Sequence, residues 1–307
     1  MAYETLRRKL ESGKLVVMDA ATGTELEKRG AVMSEGAWCG VASVDFREVL
    51  EDVHRSYIEV GAELISTNTF ASSRIMLAQA GEAERFEEIN RNAVEAALKA
   101  REQCGTPEVV VAGCLSHMIP VQTGTDEAVT TGPSAAEMQE AFEELALLLK
   151  DAGCELLMLE MMYHPHRVPW VLQAAQKTGL PLWVGFSIRQ NDSGELVSFA
   201  HDQEFSLEEL FACVAPEQAE VMGVMHTAAP LVSPGLARLR KHFSGPLSAY
   251  PDSGFFKMPH WQFDAIPTPE ELQEQAREWK AEGVQVLGGC CGLGPEHIAA
   301  LRELRDE

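Results

Sequence analysis

The sequence predicts a (β/α)₈ barrel, and three observations point there. Short apolar runs alternate with helical patterns, and eight such pairs can be counted, the signature of parallel βα units. A chain of 307 residues suits one barrel, so residues 1–307 read as a single domain. The polar residues that close the apolar runs also make a coherent set, as expected where strand ends build one pocket.

In order, the strand runs are Leu15–Asp19, Leu64–Thr69, Val109–Leu115, Leu156–Glu160, Leu182–Ile188, Val221–His226, Leu247–Tyr250 and Val284–Cys290. Most are rich in Val, Leu or Ile, as strands covered on both faces should be. The clearest helices are Glu84–Gln103, Ala135–Lys150, Pro269–Glu282 and Pro295–Leu304, where apolar residues recur at three and four. Thr-Pro-Glu-Glu and Gly-Pro-Glu open the last two, with Pro in the first turn. Longer loops follow strand one (Gly30–Val44), strand three (Ser116–Pro133) and strand seven (Pro251–Thr268). The last carries Phe255, Phe256 and Trp261 and suits a cover over a pocket. No linker or internal repeat interrupts the pattern.

Composition excludes some partners. Lys+Arg 25 against Asp+Glu 47 gives a formal charge of −22, which opposes phosphate backbones and anionic lipid. The first fifteen residues lack an apolar leader segment, and no apolar run is long enough to span a bilayer, so a cytoplasmic protein is expected. Seven scattered cysteines fit a reducing compartment. Cys39, Cys104, Cys154 and Cys213 read as core or surface thiols. The acidic surface leaves self-association, and so a homo-oligomer, open.

The sharpest local signal is Gly288-Gly289-Cys290-Cys291-Gly292. Adjacent cysteines cannot easily bridge each other, whereas two thiolates at a strand end can grip one soft metal ion. The two glycines then let the backbone approach that ion. The plainer alternative is a buried, inert pair. His226, ending strand six, offers a third ligand and leaves a fourth position open, the pattern of catalytic zinc. Cys114 competes for that role or lines the pocket floor. Asp19 and Glu160 are acids without a basic neighbour in sequence and suit the ammonium group of a small amino acid. Asp19 reads alternatively as a helix cap. Thr22, Gly23 and Thr24 follow it at a turn whose N–H groups could receive a carboxylate. Asn68 and Asp252 complete the strand-end set as further substrate-binding candidates.

These motifs resemble those of the homocysteine S-methyltransferase family, nearly end to end. The resemblance rests on Asp19-Ala-Ala-Thr-Gly-Thr-Glu-Leu26, Ile65-Ser-Thr-Asn-Thr-Phe70, Val111-Ala-Gly113, Leu159-Glu160, Gly179-Leu-Pro-Leu-Trp-Val184, Tyr250-Pro-Asp-Ser-Gly254 and Gly288-Gly-Cys-Cys-Gly-Leu-Gly-Pro-Glu-His-Ile298. The double-cysteine block is highly specific; Gly-Leu-Pro is weak. The resemblance implies a (β/α)₈ barrel in which Zn²⁺ binds the sulfur of homocysteine, with Asp19 and Glu160 at its amino group. The partners implied are this thiol and a methyl donor, with no catalytic residue beyond the metal site.

The chain departs from the family where a cysteine ending strand six is the third zinc ligand: here the segment reads Gly223-Val-Met-His226. Ala20 replaces a usual glycine, and Met161 stands where Thr is common. Two thiolates and a neutral imidazole carry one negative charge fewer than three thiolates, so a bound thiol should lose its proton more easily and its sulfur should attack less strongly. The length resembles that of stand-alone enzymes using S-methylmethionine or S-adenosylmethionine. Betaine users resemble it too, but carry tyrosines where Ala71 and Met161 stand, which weakens a cation–π cage here. Trp38 either faces a methyl sulfonium or packs in the core. Two rival readings are a metal-dependent hydrolase using His164, His166 and His226, and a non-catalytic zinc- or thiol-binding relative.

Overall fold

The computed structural model describes residues 2–129 and 132–307. Eight parallel strands form the sheet: β1 Val16–Val17, β2 Leu64–Ser66, β3 Val110–Ser116, β4 Leu156–Met162, β5 Leu182–Phe186, β6 Val221–Ala228, β7 Leu247–Asp252 and β8 Val284–Leu287. Their hydrogen-bonded order is β1-β8-β7-β6-β5-β4-β3-β2, every pairing parallel. A bridge between Met18 and Leu64 closes the ring, with Glu63 N donating to Val17 O at 2.8 Å and Asp19 N to Leu64 O at 3.0 Å. This is the (β/α)₈ barrel that the alternating runs predict.

The inward residues change character along the strands because side chains alternate with period two. In β3 the series is Val110, Ala112, Cys114, Ser116; in β4 it is Leu156, Met158, Glu160. The apolar lower layers pack Val16, Met18, Leu64, Val110, Leu156, Trp183, Val221 and Val286 against a helix that the sequence pattern does not announce, Ala2–Glu11. Its Tyr3, Leu6 and Leu10 plug the N-terminal end of the barrel.

The expected helices appear as Phe86–Cys104, Ala135–Ala152, Pro269–Ala281 and Pro295–Glu303. Ser134 with Glu137 and Thr268 with Glu271 form capping boxes that satisfy free N–H groups at two of the starts. Strand ends differ from expectation at the mouth. β2 stops at Ser66 and β8 at Leu287, because the chain turns out of the ladder to present side chains. β4 and β6 run past their expected ends, since pairing resumes after irregularities between Leu159 and Met162 and between Met225 and Ala228.

Candidate active site at the barrel mouth

A cavity of about 400 Å³ opens at this mouth. The loop after β7 folds into a hairpin, Phe255–Lys257 with His260–Gln262, and brings Phe255, Phe256 and Trp261 to the cavity as expected of a cover. The hairpin is tied on two sides. Glu27 accepts from Trp261 N at 3.1 Å and meets His260 Nδ1 at 2.8 Å. Gly124 N donates to Met258 O and Met258 N to Thr125 O, at 2.7 and 2.9 Å.

His226, Cys290 and Cys291 converge, their ligand atoms all lying within 4.8 Å of one another. Cys290 Sγ is 3.5 Å from His226 Nδ1 and 4.0 Å from Cys291 Sγ. Two sulfurs and an imidazole nitrogen are the donor set of a soft or borderline divalent ion, so the residues fit zinc. Among the described residues this is the cluster that could hold a metal. His226 has a left-handed backbone (φ 42°), as has Met161 (φ 51°), so both bulged strands carry strain beside the site.

Charge follows geometry. Hydrogen bonding from Cys291, against the cost of burial, and the neighbouring His226 hold the Cys290 thiol well below its ordinary range. The same contact and burial push Cys291 well up. Burial opposes protonation of His226, yet Asp252, Cys290 and Glu160 outweigh it and push its pKa up to about 9. These contacts favour negative charge on Cys290 and positive charge on His226 beside it.

Asp19 is fully buried and accepts from Ser66 N at 2.7 Å and from Ser66 Oγ at 3.1 Å. It thus closes the end of β2, and the helix-cap reading is set aside: the helix Thr22–Lys28 starts after Ala21. Burial raises its pKa, against the Ser66 bonds, and the charge of Glu160 raises it further. Burial pushes Glu160 up to about 7, against the pull of the Cys114 thiol. Cys114 Sγ donates to Glu160 Oε2 at 2.5 Å and lies outside the metal cluster, which answers its competing role.

Thr22, Gly23, Trp38, Asn68 and Asp252 line the cavity. Thr24 does not: its hydroxyl accepts from Gly292 N at 3.1 Å and braces the cysteine turn. Asn68 donates to Cys39 O at 2.8 Å and Ser43 Oγ at 3.1 Å, which fixes the loop after β1. Trp38 packs edge-on against Phe70 and Phe256 and also lines the cavity. Gly288 and Gly289 have a packing role, and Gly289 also lines the cavity. A Cβ on Gly288 would strike Met18 and one on Gly289 would come within 2.9 Å of Ala20 Cβ, so the glycines admit the end of β8 against the end of β1.

His164 and His166 lie off the cavity wall and outside the metal cluster, with His164 Nε2 3.6 Å from Asp202. The hydrolase constellation is therefore not assembled. His117, at the wall and not singled out from sequence, accepts at Nε2 from Tyr163 N at 3.1 Å and joins the ends of β3 and β4. Its position directly after an apolar strand was the available signal.

A parallel barrel in which a His and two Cys converge beside Asp19 and Glu160 at the C-terminal strand ends defines a (β/α)₈ enzyme working from that face. The family model of homocysteine S-methyltransferase matches residues 16–305; the chain belongs to this family and is a methyltransferase. It is 27% identical to betaine–homocysteine S-methyltransferase 1 of Bos taurus over 317 residues, covering 96% of this chain and 73% of that protein. Identity to the S-methylmethionine–homocysteine S-methyltransferase of Pongo abelii is 26%, covering 98% and 81%. The metallated form of the homocysteine methyltransferase MmuM from Escherichia coli superposes with a TM-score of 0.73 at 24% identity, covering 97% and 99%. No described helix is long and apolar enough to cross a membrane.

Proposed function

We propose that this chain is a zinc-dependent methyltransferase that converts homocysteine to methionine with a sulfonium donor, S-methylmethionine or S-adenosylmethionine. The observation that carries the reading is the His226, Cys290 and Cys291 cluster standing in one cavity with Asp19 and Glu160. Zinc held by those three residues would lower the pKa of the substrate thiol and keep it as thiolate at neutral pH. Asp19 and Glu160 receive the ammonium group and so aim the sulfur at the centre. The aromatic cover of Phe256 and Trp261 keeps water from the reacting pair.

The transfer is a single displacement. The substrate sulfur donates an electron pair to the methyl carbon, the C–S⁺ bond breaks, and the donor leaves as a neutral thioether. No covalent enzyme intermediate is needed. The relatives, whose names pair homocysteine with betaine in one case and S-methylmethionine in the other, support the acceptor and leave two donor classes. Met161 on the wall, and Ala71 buried away from it, favour the sulfonium over a tyrosine-caged quaternary amine.

Zinc analysis and methionine formation, with S-methylmethionine, S-adenosylmethionine and betaine side by side, test this in the wild type and in His226→Ala. The expected result is sulfonium-dependent methionine in the wild type and loss of both metal and turnover in the variant. Unchanged zinc with full activity would remove His226 from the ligand set.

A further inference from the structure

The environment of the imidazole, rather than the imidazole alone, distinguishes this centre. His226 Nδ1 faces Cys290 Sγ, and its other nitrogen, Nε2, lies 3.5 Å from Asp252 Oδ2. Phe199 and Trp261 stand edge-on to the ring, with centroids 5.4 and 5.7 Å away, and limit its tilt. Neither aromatic distinguishes one ring nitrogen from the other; the carboxylate does, because it attracts a proton on Nε2 and leaves the Nδ1 lone pair free.

The backbone fixes Asp252 against both halves of the ligand set. Pro251 O accepts from Cys290 N at 2.8 Å and Ser253 N donates to Cys291 O at 2.9 Å, so the residues on either side of Asp252 are bonded to the two cysteines. Across the sheet Asp252 is the register partner of Ala228, two residues beyond His226. A side chain clamped between the imidazole and thiolate segments is poorly placed to serve as a mobile substrate contact.

We propose that Asp252 is a positioning residue of the metal centre: it holds the Nε2 edge of His226, turns Nδ1 toward the cysteines, and places beside the coordination sphere the negative charge that a third thiolate would place within it. This rests on the zinc reading above and deepens it. Two thiolates, an imidazole and an adjacent carboxylate together match three thiolates in formal charge around a divalent ion, although the carboxylate touches no metal. The substitution of imidazole for thiolate at position 226 and the acid at position 252 then form one unit.

The test is a double-mutant cycle read by zinc affinity, using competition with a chromophoric chelator, on the intact chain. With His226 present, Asp252→Asn, which keeps the shape and loses the charge, is expected to weaken zinc about tenfold, and Asp252→Ala up to about a hundredfold. In the His226→Cys background the same changes are expected to leave affinity within about threefold or to raise it, since no imidazole needs orienting and a carboxylate beside three thiolates repels. The visible spectrum of the cobalt(II)-loaded protein is expected to change with Asp252→Asn only when His226 is present. Equal losses in both backgrounds, or no loss in either, would overturn the role of Asp252 while leaving the zinc centre intact. A wild type and His226→Cys variant that both fail to take up zinc would overturn the centre itself, and the inference with it.

Discussion

The two ends of the barrel solve opposite problems with the same strands. At the closed end the polar atoms are paired: Trp183 Nε1 donates to the Tyr3 hydroxyl at 3.0 Å, and Tyr3 donates to Glu220 at 2.7 Å. At the mouth, Trp38 Nε1 and His117 Nδ1 are buried without a hydrogen-bond partner among the described residues, and Trp38, Met161 and His226 all have left-handed backbones. Buried acids there are held above their ordinary range. The closed end carries stability, and the mouth carries costs that only a bound ion and substrate would offset. The largest expected effect follows: Cys290→Ala should lower kcat/KM by more than the 10- to 100-fold typical of residues beside a metal centre, with zinc content lost. Its metal-free melting temperature should hardly fall. Thermal melts with and without chelator, together with steady-state kinetics, check both halves.

The complementary change at the other end is Trp183→Ala. It removes a buried indole from between Tyr3 and the lower barrel layers, and should cost about 3–5 kcal/mol in denaturant unfolding. Zinc content and kcat of the folded enzyme should stay near wild type. A variant with normal stability and a collapsed kcat would break the division between the two ends.

Glu160 sharpens the comparison through pH. Its ordinary value is 4.5 and burial pushes it up to about 7 in the metal-free fold, so between those values the folded chain holds a proton that the unfolded chain has released. Stability must therefore fall as pH rises through that window, by on the order of 3 kcal/mol, and the slope should flatten in Glu160→Gln. Activity runs the other way, since only the ionised form pairs with an ammonium group. We expect kcat/KM to fall below about pH 7 in wild type and to be about 10- to 100-fold lower, without that limb, in Glu160→Gln. Urea titrations at a series of pH values, and a pH–rate profile, are the measurements.

Much of this division is legible in the chain. Eight apolar runs announce the barrel because buried parallel strands need continuous apolar sequence, and Asp19, Glu160, His226 and Cys290, each ending a run, mark the mouth. The Cys290-Cys291 pair is legible because few structures other than a metal site need adjacent thiols. What escaped were roles set by tertiary neighbours. The sequence pattern does not mark Ala2–Glu11 as a helix, and only packing reveals Tyr3, Leu6 and Leu10 as a plug. Thr24 and the Gly288-Gly289 pair look like ligand contacts in sequence, yet they brace the cysteine turn and admit β8 against β1. The partner of Asp252 lies 26 residues earlier on a neighbouring strand, at a distance that depends on a bulge.

The smallest expected effect tests whether paired polar groups at the closed end are structural in a modest sense only. Arg7 meets Glu220 through two nitrogens, Nη2 to Oε1 at 2.5 Å and Nε to Oε2 at 2.9 Å, a bidentate geometry that favours a real contribution. Against this, the side chains are 32% and 37% exposed, so water and salt screen most of the attraction. Removing Arg7 also leaves Glu220 with its bond from Tyr3, so no buried charge is orphaned. Arg7→Ala should therefore cost about 0.5–1 kcal/mol at low ionic strength and less in high salt, with zinc affinity and kcat unchanged. Unfolding titrations at two salt concentrations decide it: a loss above about 2 kcal/mol that salt does not reduce would mean the pair acts as a buried one, because screening is what separates the two cases.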